Sequence, residues 1–292
     1  MDGAMRISVK SLACGFTMPA FGMGTWGMGG HMQHDPANDD ASDVAALKAG
    51  LDAGLTHIDT AEIYGGGHAE ELVGQAIAGL KREELFITSK VWTNHLSYDG
   101  VRVAAEGSLR RLGTSYLDLY LIHHVDEQAS LEETVRGLDR LQDEGVIKNI
   151  GVSNFAVERM KRAQACSSHK IVANQVHYNL VFREPELGLL EYCQNSGVML
   201  VAWRPVQAKE ILHAEGGPME VLCAKYLKTP AQIAINWLLS QQNVTTIAAM
   251  RSTAHIPENM AATDFSMSTE DIELLRREFP GRQFKSDALP LK

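Results

Sequence analysis

Residues 56–67 read THIDTAEIYGGG, an apolar-flanked run that ends in an acid, Asp59, with Tyr64 five residues later in a glycine-rich turn. The run reads as a short buried strand that carries a carboxylate and a phenol to one strand end. Taken alone the pair is ordinary, since acids in turns and tyrosines on rims are common. Two later runs repeat the pattern. Residues 85–90 (LFITSK) form a β-branched and aromatic run closed by Lys90, and residues 118–123 (DLYLIH) an apolar run closed by His123. Three successive strand-like segments therefore present Asp59, Lys90 and His123 at their C-terminal ends. In a closed parallel α/β barrel those ends converge on one face, where chemistry sits. The bland alternative is a buried ion pair beside two rim residues.

The rest of the chain alternates in the same way. Residues 5–16 read as a short hairpin and 18–24 as the first barrel strand. Helices are expected at 41–53, capped by Asp39 or Asp40, at 69–77, and at 101–112, stopped by Gly113. Strand 116–122 precedes a helix at 131–144, with Ser130 as its cap and Glu133 three residues on. Strands at 149–152, 171–175 and 198–203 alternate with helices at 157–165 and 185–196. An irregular stretch at 207–218, helices near 220–226 and 230–241, and a strand near 245–248 follow. Eight strand and helix alternations predict an α/β fold, a single (β/α)8 TIM barrel. Residues 268–292 read as an accessory helix and a wrapping tail.

GMGTWG at 22–27 matches the GxGxxG dinucleotide fingerprint. The residues that follow, MGGHMQHDPANDD, hold a proline and many polar side chains where a helix would have to open, so a Rossmann reading lacks its context. These glycines and Trp26 read better as a barrel rim.

Composition bounds the partners. Of 292 residues, 45% are hydrophobic and 22% charged, as in ordinary globular proteins, and a net charge of -9 disfavours nucleic acid and anionic membrane surfaces. No stretch is apolar enough to span a bilayer and the start carries no signal-peptide core, so a cytoplasmic protein is expected. Cys14, Cys166, Cys193 and Cys223 form no metal-ligand pattern, and no metal is expected.

Six motifs in order, GMGTW (22–26), HIDTAEIYG (57–65), SK (89–90), LDLYLIH (117–123), GVSNF (151–155) and NQVHYN (174–179), resemble the aldo-keto reductase superfamily, of bacterial or archaeal type, over almost the whole chain. The resemblance implies one barrel domain over residues 1–292 with Asp59, Tyr64, Lys90 and His123 as its catalytic tetrad. It implies a nicotinamide cofactor, since no side chain of the protein can itself supply a hydride. A phenol titrates at about 10, so Tyr64 donates a proton poorly unless tuned; an ammonium at Lys90 would lower it, with Asp59 pairing that charge, and His123 would position the carbonyl.

Further contacts follow from the resemblance. Ser153, Asn154 and Gln175 fall where relatives hold the carboxamide, and Trp203 where they stack an aromatic on the nicotinamide. Gly24, Thr25, Asp59 and Arg204 join this cofactor set, with Ser252, His255, Glu258 and Asn259 at the adenosine end. There the chain departs from its relatives: the KS pair is replaced by Ala249 and Met250 and the arginine by His255. Arg251 could instead stack on adenine or reach the 2'-phosphate, which favours NADPH and leaves NADH possible. Trp26, Trp92 and His124 are expected pocket walls, His124 standing where many relatives carry tryptophan. A small carbonyl substrate and a monomer are expected. The other reading is a non-enzymatic cofactor-sensing auxiliary subunit, because relatives of this fold serve potassium channels in that way.

Overall fold

Strand periodicity sorts the side chains into two apolar layers. Leu119, Leu121, Ala173, Met199, Val201 and Ile247 pack with Leu12, Phe16 and Met18 in one cluster. Tyr120, Ile122, Leu200, Ala202 and Ala248 join the helices in the other. The first cluster fills the interior of a closed barrel and the second its outer layer. The structure, a computed structural model, describes residues 7–206, 209–212, 217–279, 281 and 285–292.

The barrel strands are β3 (Phe21–Gly24), β4 (His57–Asp59), β5 (Phe86–Val91), β6 (Leu119–Ile122), β7 (Ile150–Ser153), β8 (Ile171–His177), β9 (Met199–Trp203) and β10 (Val244–Ala249). They are hydrogen-bonded in chain order, all parallel, and β10 closes on β3. Helices fill the crossovers: α1 (Asp40–Asp52), α2 (His68–Ile77), α3 (Gly100–Leu112), α4 (Leu131–Asp143), α5 (Val157–Cys166), α6 (Leu189–Ser196), α7 (Lys209–Leu212), α8 (Gly217–Tyr226) and α9 (Pro230–Leu239). After β10 come α10 (His255–Met260) and α11 (Thr269–Glu278). Local chemistry sets several ends. Asp39 and Ser130 cap α1 and α4 by accepting from Ser42 N and Glu133 N, and Gly113 ends α3 in the left-handed conformation. No helix among the described residues is long and apolar enough to cross a membrane.

Three boundaries differ from the sequence reading. The hairpin pairs β1 (Val9–Ser11) with β2 (Thr17–Pro19), so residues 17–19 belong to it and not to the first barrel strand, and residues 5 and 6 of the expected hairpin lie outside the described residues. The chain changes partner at Ala20, whose N–H goes to Ser8 while its carbonyl accepts from Thr246 in the barrel. The helix expected over 185–196 is cut to α6, because Gly188 at φ +114 breaks it from a single turn at Glu184–Glu186. In the stretch expected to be irregular, α7 forms and α8 starts at Gly217; residues 207, 208 and 213–216 lie outside the described residues.

The hairpin covers the N-terminal end of the barrel. Its apolar side chains extend the interior cluster, and Lys10 Nζ donates to the carbonyls of Leu239 and Gln241, each at 2.6 Å. The opposite, C-terminal end is left for polar side chains.

Gly22 explains the GMGTWG run without a nucleotide. A Cβ at Gly22 would meet His57 Nδ1 at 2.3 Å, and the His57 ring is fully buried with Nε2 3.1 Å from Thr88 Oγ1. The glycine thus lets β3 and β4 pack side by side. Gly22→Ala should destabilise the protein by about 1–3 kcal/mol through overpacking, read as a lower urea midpoint; an unchanged midpoint would contradict this role.

Candidate active site

The alternation that fills the barrel also builds its mouth. Along β5, Ser89 turns outward and its hydroxyl donates to Glu70 on α2 at 2.5 Å, so Lys90 turns inward. Along β6, Leu119 and Leu121 lie inside, which directs His123 to the same side. Asp59 ends β4 and faces Lys90. Inside the barrel, apolar side chains near the hairpin thus give way to a carboxylate, an ammonium and an imidazole at the C-terminal ends.

Lys90 and Asp59 are 0% and 1% exposed. Lys90 Nζ donates to Asp59 Oδ1 at 2.5 Å, to the Thr60 carbonyl at 2.8 Å and to Tyr64 Oη at 3.3 Å. Those three acceptors use all three ammonium protons. Gln175 Nε2 donates to the other carboxylate oxygen at 2.7 Å. Tyr64 Oη lies 3.5 Å from His123 Nε2, so the phenol and the imidazole converge on one point. The four residues of the expected tetrad are therefore in one connected cluster.

Electrostatics refine the sequence reading at Tyr64. Burial pushes the phenol above its usual 10, and although the Lys90 charge pulls it down, the net direction is upward. The expectation that Lys90 lowers this group holds for the sign of its own effect but not for the sum. Burial also disfavours the charge on Lys90, but Asp59 and Tyr64 outweigh that, so Lys90 is held above an ordinary lysine and stays an ammonium. Burial, with Lys90 and His124 adding to it, holds His123 well below 6.5, as a neutral ring. The site at neutral pH is a protonated phenol, an ammonium paired with a carboxylate, and a neutral imidazole.

Around this centre Trp26 packs edge-on against Tyr64 at 5.0 Å and Trp92 edge-on against His123 at 5.1 Å, with His124 tilted against Trp92 at 5.9 Å. His124 Nδ1 is 3.0 Å from the Val125 carbonyl. The three expected pocket residues thus border the tetrad, and Trp26 is 39% exposed, open to a ligand. Two clefts of about 720 and 500 Å3 lie elsewhere, between α2 and α3 and beside the hairpin, and neither includes a tetrad residue.

The expected cofactor residues occupy the same face in two groups. Gly24 ends β3, and Thr25 donates from both its N–H and its hydroxyl to the Asp59 carbonyl. Ser153 Oγ donates to the Gln175 carbonyl at 2.8 Å and accepts from Asn154 Nδ2 at 2.9 Å. Asn154 and Arg204 both have positive φ, 62° and 58°, at the ends of β7 and β9. Among the described residues Asn154 Oδ1 is buried without a hydrogen-bond partner, an acceptor left open at the mouth. Trp203 is half-buried, with one face stacked on His177 at 4.4 Å and 12°.

The second group follows β10. Ser252, His255 and Glu258 are exposed and Asn259 half-buried on or beside α10. Arg251 is already engaged: Nε donates to Asp43 Oδ1 at 2.9 Å, and Nη2 to Asp43 Oδ2 at 3.2 Å and Asn38 Oδ1 at 2.8 Å. Asp43 is buried, so this pair is costly to break. Nη1 has no bonded partner among the described residues and remains able to meet an anion.

Two contributors escaped the sequence reading. Gln175 was expected at a cofactor and not as the donor to Asp59, and His177 was not expected at all. The spacing of NQVHYN held the signal, since residues 175 and 177 share one face of a strand.

Comparison with known proteins agrees with this architecture. The model of the Aldo/keto reductase family matches residues 20–277. Methylglyoxal reductase YeaE of Escherichia coli is 35% identical over 274 residues, covering 92% of this chain and 94% of that protein. Glyoxal reductase of Bacillus subtilis is 36% identical, covering 94% and 93%. Among solved structures, the thermostable aldo-keto reductase Tm1743 with the inhibitor epalrestat superposes with a TM-score of 0.86 at 42% identity, covering 92% of this chain and 98% of that one. An aldo/keto reductase of Klebsiella pneumoniae in complex with NADP and acetate gives 0.84 at 36% identity, covering 97% and 98%.

The neutral histidines give the site a pH signature. His57 and His177 are both lowered by burial to about 4, and His123 is lowered in the same direction. Between about 4 and 6.5 the unfolded chain binds protons that the folded chain refuses, so stability is fully present above 6.5 and falls as the pH drops through that window. The urea midpoint should decrease from pH 7 to pH 5; a midpoint that is flat or rises on acidification would contradict the buried neutral rings.

Proposed function

The chain belongs to the aldo/keto reductase family of oxidoreductases, and we propose that it reduces small aldehydes and dicarbonyls to alcohols with NADPH, Tyr64 supplying the proton. The observation that carries this reading is the convergence of Tyr64 Oη and His123 Nε2, 3.5 Å apart, above a fully buried Lys90. A carbonyl oxygen that meets both atoms accepts the phenolic proton while the imidazole N–H holds it in place. The phenolate that forms faces the Lys90 ammonium at 3.3 Å, and Asp59 keeps that ammonium charged.

The residues present fit a nicotinamide cofactor, which when bound supplies the hydride for the carbonyl carbon. Asn154 Oδ1, buried and without a partner among the described residues, is an acceptor for a carboxamide N–H, with Ser153 and Gln175 beside it. Gly24, Thr25, Trp203 and Arg204 border the same opening, and Arg251, Ser252, His255, Glu258 and Asn259 stand at the adenosine end. Arg251 Nη1, without a bonded partner among the described residues, supports a contact to a 2'-phosphate made without breaking the Asp43 pair. That solved relatives carry NADP supports NADPH over NADH. The methylglyoxal and glyoxal reductases among the relatives support a small dicarbonyl in the space bordered by Trp26, Trp92 and His124.

Oxidation of NADPH, followed by its absorbance at 340 nm with methylglyoxal and glyceraldehyde, should report turnover. Tyr64→Phe should lower kcat by about 10²–10⁴-fold while quenching of protein fluorescence shows NADPH still bound. A Tyr64→Phe enzyme that keeps its kcat would rule out this proton donor.

A further inference from the structure

Beside the mouth, three separate segments bring metal-ligating side chains together. His34 lies in the loop after β3, Asp40 opens α1 and His68 opens α2, and one ligand atom from each lies within 4.8 Å of the others. His68 Nε2 is 2.7 Å from Asp40 Oδ2, and its other nitrogen, Nδ1, is 2.7 Å from Glu71 Oε2. The His34 ring lies against that of His68, with centroids 4.1 Å apart. We propose that His34, Asp40 and His68 bind a divalent transition-metal cation of the zinc class, with Glu71 holding His68 from behind.

Four features carry this assignment. Two imidazole nitrogens and one carboxylate oxygen are a donor set suited to zinc, and three protein ligands leave a fourth position for water. Tetrahedral bonds of about 2.0–2.1 Å place neighbouring ligand atoms about 3.4 Å apart, so the set closes around an ion when His34 rotates inward and His68 Nε2 and Asp40 Oδ2, now 2.7 Å apart, part and give up the proton they share. The His34 side chain is exposed and able to rotate, and the Asp40 side chain is 41% exposed, so an ion enters from solvent without unfolding. Finally, a carboxylate on the far nitrogen of a ligating histidine fixes its tautomer and aims the near nitrogen at the metal, and Glu71 does this for His68.

The position gives the site a consequence. The loop that carries His34 is tied to the catalytic turn by a Gly65 N–H to the His31 carbonyl at 2.6 Å, and the His31 ring packs on Trp26, which packs on Tyr64. A bound cation pins this loop to α1 and α2 and so steadies Trp26 at the pocket edge.

The test is titration of the chelator-treated full chain with Zn2+ by calorimetry at neutral pH, with thermal melting as a second readout. The expected result is one saturable ion per chain and a higher melting temperature. His34→Ala, an exposed substitution that leaves the fold intact, should weaken binding by about 10–100-fold, and Glu71→Gln should weaken it less. Absence of saturable binding would mean that the cluster is a histidine clamped between carboxylates only. Binding unchanged in both His34→Ala and Asp40→Asn would place the ion elsewhere. Either result overturns the proposal.

Discussion

An ammonium buried at the centre of a protein must be compensated, and the mouth of this barrel is arranged around that requirement. Lys90 is wholly removed from water, a state whose desolvation costs several kcal/mol per ion before any partner is counted. Asp59, the Thr60 carbonyl and Tyr64 Oη occupy its three protons, and Gln175 occupies the second oxygen of Asp59. Removing either charge would leave the other buried alone, at a cost of about 3–5 kcal/mol. The pair adds little to net stability compared with apolar packing. It does fix a buried phenol beside a buried, permanent positive charge, where charge acts more strongly than in water.

The frame supplies this by simple means. The hairpin and the interior apolar layer fill one end of the barrel, so that the inward positions further along the same strands can be polar without opening a channel through the core. Outside, Ser89 and Glu70 hold β5 against α2, with Arg111 on the second oxygen of Glu70 at 2.6 Å. The orientation of Lys90 is therefore fixed from both faces of its strand.

Much of this is readable in the sequence because strand period and strand ends are local properties. Three apolar runs ending in Asp59, Lys90 and His123 give the barrel and three of its four central residues, and the HIDTAEIYG motif gives the fourth. Features that need closure in space are not readable. Gln175 meets Asp59 across 116 residues of chain, which only the register of a closed barrel brings together. The His34, Asp40 and His68 cluster draws one residue from each of three segments and has no compact spacing. The acidity of Tyr64 depends on how deeply it is buried, so the sign of Lys90's influence could be read from charge while the sum could not. Where a local signal was overridden at the predicted helix over 185–196, the cause is a single residue, Gly188, which splits it.

The central claim is that Lys90 acts through Tyr64, and a double-mutant cycle in kcat tests it most directly. Groups that act as one unit are strongly non-additive. Lys90→Met and Tyr64→Phe should each lower kcat by about 10²–10⁴-fold, and the double variant should lose no more than the worse of the two, with retained NADPH binding verifying that each variant is folded. Losses that multiply in the double variant would mean that the two residues act independently, and would contradict the account.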